Sequence, residues 1–263
     1  NIVLYENCLL FYSFKIIPMT RYIPNALTLL NLFCGCIAVI FAVNNNFSAA
    51  ALFVFLGIFF DFFDGFAARK LGVQSELGVQ LDSLADMVTS GLVPGLVMYK
   101  LLAMTIDAPE IVNNWGASID FNIALLPLLG LTITLASAYR LAKFNIDTEQ
   151  QNYFKGLPTP ANALLILSLP LIMEYQNNDL INSIIVDKWF LIGLTAFSCW
   201  VLNSNIKLFA LKFKDWTFKS NATRYIFMLL CIVLLIVLQF AATPVIILLY
   251  IIMSVLDNLK SKK

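Results

Sequence analysis

Residues 61–86 read DFFDGFAARKLGVQSELGVQLDSLAD, and the architecture follows from how the four aspartates in this stretch are interpreted. Asp61, Asp64, Asp82 and Asp86 stand among residues that otherwise suit the inside of a membrane. The first two are three residues apart and the last two are four apart, so each pair lies on one face of a helix. The flanking segments form a hairpin that turns around Lys70 to Glu76. At about 1.5 Å per residue, Asp64 and Asp82 reach similar depths, just inside one membrane boundary. Antiparallel neighbours at that depth can bring four carboxylates together.

Composition sets the surroundings. The chain has 263 residues, 60% hydrophobic and 13% charged, with a mean hydropathy of +0.83. A soluble domain carries roughly 25% charged residues. Long apolar runs recur, and an all-α polytopic membrane protein is expected. A net charge of +1 lacks the concentrated basic surface of a nucleic-acid binder, so no nucleic-acid partner is expected. No histidine is present, which excludes His catalysis and leaves metal chemistry to carboxylates. Five cysteines, four of them in apolar runs, read as small core residues rather than a disulfide framework.

Eight helical segments are expected, at 26–43, 47–71, 78–102, 121–144, 160–174, 188–205, 222–240 and 243–257. The linkers at 103–120 and 175–187 hold Asp107, Glu110, Asp120, Asp179 and Asp187 but no basic residue. Of the 17 basic residues, 15 fall on the other side, leaving only Lys100 and Lys188. By the positive-inside rule both termini and the aspartate hairpin face the cytoplasm, across a cytoplasmic membrane. Residues 1–18 lack the form of a signal peptide, because Glu6 interrupts a short apolar part. They are expected to be an upstream extension ahead of translation from Met19. A catalytic core is expected over 19–174, with C-terminal transmembrane helices and a basic tail over 175–263.

Four ionised carboxylates so placed repel one another and lose hydration, at several kcal/mol for each ion. Protonation relieves this, and so do one or two divalent cations. Hard oxygen ligands suit Mg²⁺ or Mn²⁺. Gly65 is one turn from Asp61, and Gly78 is one turn before Asp82, so both strip bulk from the acidic faces. Arg69, a further turn on from Gly65, offers a fork to phosphate oxygens. A purely structural role explains a single intramembrane aspartate, as a cap or a snorkelling side chain. It explains four paired ones poorly. A cation pathway is the rival from another functional class, since buried acids also mark ion routes. Such sites usually lie near the midplane between repeated halves, and no second half is visible here.

The same stretch resembles the signature of the CDP-alcohol phosphotransferase family without a mismatch, at Asp61, Asp64, Gly65, Ala68, Arg69, Gly78, Asp82 and Asp86. The resemblance implies a membrane enzyme that transfers a substituted phosphate from a CDP-linked donor to an alcohol and releases CMP. It implies two divalent ions, bridged by Asp61 and Asp82. Asp64 would complete one ion site and Asp86 the other. Asp86 would also act as general base for the incoming hydroxyl. Ser75 matches a position that contacts the donor in relatives, and a homodimer is implied as well.

Two further stretches bear on the alcohol. YIPNALTLLNLFCGCIA (22–38) and YRLAKFNIDTEQQNYFKGLPTPANA (139–163) resemble the bacterial and archaeal branch that joins CDP-diacylglycerol to L-serine. Glycerol phosphate-using relatives are expected to carry arginine near Asn31. The acceptor alternatives are glycerol 3-phosphate, inositol phosphate and choline. Pro24, Asn25 and Thr28 enter the first helix and offer polar groups to the cytidine or its phosphates, with ordinary N-capping as the structural alternative. Arg140 and Lys143 are candidates for the serine carboxylate. For Lys143, topology and snorkelling provide an equal explanation. Gly156, Pro158 and Pro160 read as a loop that shapes the pocket.

Overall fold

Small residues recur on one face of the first helix, α1 (Tyr22–Val43), whose buried side is Pro24, Thr28, Asn31, Cys34, Gly35, Ala38 and Ala42. The facing side of α2 (Phe47–Leu71) buries Ala50, Val54, Gly57 and Asp64. Stripes of this kind let two backbones approach closely in a bilayer. Each stripe is apolar at one end and polar at the other, so the packing that joins α1 to α2 also buries Thr28, Asn31 and Asp64 together. A short turn links the pair, with Asn46 Oδ1 accepting from Ala49 N at 3.0 Å as the N-cap of α2.

The computed structural model describes residues 22–106, 124–146, 153–176, 178–209 and 218–261. Helix α2 ends at Gly72, whose φ of 64° closes the turn in the left-handed region. Ser75 then caps α3 (Glu76–Asp86), its Oγ accepting from Gly78 N at 3.1 Å. A six-residue π-helical stretch, Met87–Leu92, follows directly and leads into α4 (Val93–Met104). Pro94 has no N–H for the Ser90 carbonyl and its ring crowds that turn, which accounts for the wide turn here. After a 3₁₀ turn at Pro127–Leu131 come α5 (Thr132–Ile146) and then α6 (Thr159–Tyr175). The apolar core away from the aspartates gathers Val93, Val97, Met98, Leu102, Ile133, Ile166 and Leu191.

The chain is mostly helical. The helices Tyr22–Val43, Phe47–Leu71 and Glu76–Met104 are long and apolar enough to cross a membrane, and so is the apolar stretch Thr223–Leu259. That last stretch covers most of α9 (Phe218–Leu238) and of α10 (Ala242–Ser261) and folds back on itself. The Thr223 hydroxyl lies 3.2 Å from Asp257, and the Phe227 and Tyr250 rings are 5.6 Å apart. Large apolar side chains face outward throughout, including Phe62 at 66% and Ile236 at 75% exposure, as lipid contact requires. This is a membrane protein.

The structure departs from the eight expected segments. Among the described residues four stretches, or five counting one bent pair, are long and apolar enough to cross a membrane. The first helix already begins by Tyr22, and the described part of the segment expected at 121–144 is a 3₁₀ turn followed by α5. The acidic linker at 175–187 contains a short helix, α7 (Asp179–Ile185), because Asn178 Oδ1 accepts from Leu180 N and Ile181 N. It meets α8 (Lys188–Asn203) at a bend of 62°. Two three-residue strands, β1 (Tyr153–Lys155) and β2 (Lys207–Phe209), pair antiparallel outside the expected helical segments. Gly156 (φ 75°) continues that pairing, its N–H donating to Ile206 O at 3.0 Å. The expected extension at 1–18 and the acidic residues Asp107, Glu110 and Asp120 lie outside the described residues.

Candidate active site

Helix periodicity turns both aspartate pairs toward α1. Carboxylate oxygens of Asp61, Asp64 and Asp82 all lie within 4.8 Å of one another. Asp86, one turn beyond Asp82, stands outside that triad and is 9% exposed. Asn31 Nδ2 donates to Asp86 Oδ1 at 3.4 Å. The Thr28 hydroxyl donates to Asp64 Oδ2 and also reaches the Pro24 carbonyl at 3.1 Å. Three hard, anionic oxygen donors this close suit a small divalent cation, and the residues present fit Mg²⁺ or Mn²⁺.

A cavity of about 560 Å³ opens beside the triad. Asp64 and Asp82 line it, together with all eight residues expected at the donor site: Pro24, Asn25, Thr28, Gly65, Ala68, Arg69, Ser75 and Gly78. At both glycines the space a side chain would take is used by neighbouring polar groups. A Cβ on Gly65 would sit 3.3 Å from Arg69 Nη1, so its absence lets the guanidinium lie against the helix. A Cβ on Gly78 would sit 3.3 Å from Ser75 Oγ and 3.4 Å from Asn25 Oδ1. Asn25 lies within α1, which already begins by Tyr22, and its side chain faces Gly78 rather than capping the helix. The N-terminus of α3 contributes Ser75, Glu76 and Gly78 to the wall, placing the positive end of the helix dipole at the cavity.

Arg140 and Lys143 border a second, small cleft with Phe144, Lys155, Leu202, Asn203 and Ser204. Arg140 is 8% exposed, its Nε has no hydrogen-bond partner among the described residues, and its guanidinium lies 6.0 Å from the Phe144 ring centre. Lys143 Nζ reaches Asn205 Oδ1 at 3.5 Å. The two residues therefore differ: Arg140 is buried and under-bonded, whereas Lys143 has a surface partner.

Residues 21–200 match the family model described as CDP-alcohol phosphatidyltransferase. The chain belongs to this family. Every residue placed above in the cavity, the triad and Arg140 or Lys143 falls inside the matched region. Among curated relatives, the CDP-diacylglycerol–serine O-phosphatidyltransferase of Bacillus subtilis is 36% identical over 149 residues, covering 57% of this chain and 75% of the relative. The enzyme of the same name from Methanocaldococcus jannaschii is 35% identical over 184 residues, covering 70% and 73%. The archaetidylserine synthase of Methanothermobacter thermautotrophicus is 30% identical over 156 residues, covering 59% and 60%.

In the sequence Asn31 bears only on the acceptor branch, and its contact with Asp86 is not visible there. An amide three residues after Thr28, in an otherwise apolar run, was the available signal. Thr89, whose hydroxyl donates to the Asn31 carbonyl at 3.1 Å, gave none, because its position depends on the π-helical turn. Asn145 was also missed. Its amide contacts Ser83 Oγ at 3.0 and 3.1 Å and Gln80 Oε1 at 3.4 Å, tying α5 to the helix that carries Asp82 and Asp86.

Proposed function

We propose that this protein transfers the phosphatidyl group of CDP-diacylglycerol to the hydroxyl of L-serine, giving phosphatidylserine and CMP. The observation that carries the reading is the meeting of the aspartate triad with one cavity lined by all eight donor-site positions. The names of the three relatives support serine as the alcohol, one of them with an archaeal lipid.

The residues then divide the work. Arg69, the N–H groups at the start of α3, and Asn25 bind the nucleotide and its phosphates in the cavity. Asp61, Asp64 and Asp82 hold divalent ions, Mg²⁺ or Mn²⁺, and Asp86 completes a second ion site. When bound, such ions neutralise charge on the pyrophosphate oxygens and on departing CMP. Asp86 accepts the proton of the serine hydroxyl as that oxygen bonds to the phosphorus and the bond to CMP breaks. Arg140 pairs with the serine carboxylate, and Lys143 adds positive charge at the cleft mouth.

The same reading covers the setting. Eight spans, a cytoplasmic face for the aspartates, a bacterial or archaeal membrane and a homodimer agree with the distribution of basic residues and with the resemblance. Placement at the boundary lets the acyl chains stay in the leaflet while only the nucleotide end enters the cavity. The test is CMP release from purified protein given CDP-diacylglycerol and Mn²⁺, with L-serine, glycerol 3-phosphate or inositol phosphate supplied in parallel. Release is expected with serine. Release with another alcohol keeps the aspartate chemistry and overturns the acceptor.

A further inference from the structure

We propose that α1 is the positioning element of the aspartate cluster, with Thr28 and Asn31 each aiming the second carboxylate of one pair. This rests on the reading of the cluster as a divalent-ion site. Thr28 and Asn31 are three residues apart on one helical face and are 3% and 0% exposed. Thr28 donates to Asp64 and Asn31 to Asp86, so one helix holds both members that lie nearer the ends of the two pairs' polar faces.

The Asn31 amide has little freedom. Its backbone carbonyl accepts the Thr89 hydroxyl at 3.1 Å. A Cβ on Gly57 would stand 2.8 Å from Asn31 Oδ1 and 2.6 Å from Thr89 Cγ2, so only glycine fits there. Among the described residues Asn31 Oδ1 accepts no hydrogen bond, and Asp86 is the one polar partner of the side chain. The reverse orientation would set that oxygen against the carboxylate, so charge selects the one in which Nδ2 faces Asp86. A buried amide with an unsatisfied acceptor is destabilising in itself. Its presence makes sense if the donor end has a task. Packing alone does not require these two side chains, since valine and leucine have nearly the same shapes. A positioning role requires their hydrogen-bond donors.

The test uses full-length protein in detergent and counts bound Mn²⁺ from the loss of the free-ion electron paramagnetic resonance signal, with no substrate present. Thr28→Val and Asn31→Leu are expected to weaken Mn²⁺ binding at least tenfold, and Thr28→Ser to restore it to within about threefold. In turnover, Asn31→Leu should lower kcat at least tenfold while the KM for CDP-diacylglycerol changes less than threefold. Where an apolar variant does not fold, Thr28→Ala or Asn31→Ala takes its place in the comparison. Unchanged Mn²⁺ affinity in both folded variants overturns the proposal and leaves the proposed function intact. A wild-type protein that binds no Mn²⁺ instead overturns the reading of the cluster on which the proposal rests.

Discussion

Asp86 differs from the other three aspartates in its company. It lies outside the triad, contacts Asn31, and is followed at once by the π-helical turn. A general base contributes roughly 10²- to 10⁴-fold to rate, and Asp86 is the residue proposed for that role. Asp86→Asn is therefore expected to leave a folded protein that still binds donor, with kcat reduced at least 100-fold. Turnover near wild type would remove Asp86 from that role. Gly57 gives a second residue-level prediction. Any side chain there strikes Thr89 and Asn31, and overpacking of this kind destabilises by about 1–3 kcal/mol. Gly57→Val should lower the melting temperature measurably and reduce turnover, whereas the same change at Gly193, which has nothing within 4 Å of an added Cβ, should disturb neither through packing.

Helix α3 carries Asp82 and Asp86 and is held from two sides, by the turn at Gly72–Ser75 and by Asn145 on α5. Asn145→Ala removes the ties to Ser83 and Gln80, and a net hydrogen bond contributes about 1 kcal/mol. The variant should melt slightly earlier and turn over more slowly, and an unchanged kcat would reduce Asn145 to a surface contact. The contrast between α3 and its supports shows what the sequence could convey. The triad and the donor cavity were legible because spacing within two adjacent helices places Asp61, Asp64, Gly65, Arg69, Gly78 and Asp82 without knowledge of any distant contact. Asn31, Thr89 and Asn145 were not, because each meets its partner across 55 or more positions and only the packing of separate helices decides which. The π-helical turn comes with close approaches of Gly91 to Ser137 and of Gly95 to Thr134, which no local pattern reveals. The two short strands escaped for the same reason: each is three residues long and exists only because the other lies beside it.

Across the whole molecule, polar chemistry is concentrated at one end of the helical bundle, and the apolar core fills the rest. The C-terminal hairpin joins this body through Gln176, whose amide donates to Leu238 O at 2.7 Å and accepts from Ala241 N at 3.1 Å, beside stacked Tyr175 and Phe240. The proposed orientation has a direct check. In a cysteine-free background, Gln74→Cys should react with a membrane-impermeant maleimide only from the cytoplasmic side, and Asn178→Cys only from the opposite side. Labelling of both from one side would invert or break the proposed topology. The central claim is that the aspartate cluster binds divalent ions that drive loss of CMP. It is tested most directly by following CMP release from the purified protein with CDP-diacylglycerol and L-serine, before EDTA, after EDTA, and after return of Mn²⁺ or Mg²⁺. The account predicts serine-dependent release that EDTA abolishes and the returned ion restores. Release that continues undiminished in EDTA, or no release from a folded protein with any ion and acceptor, would contradict it.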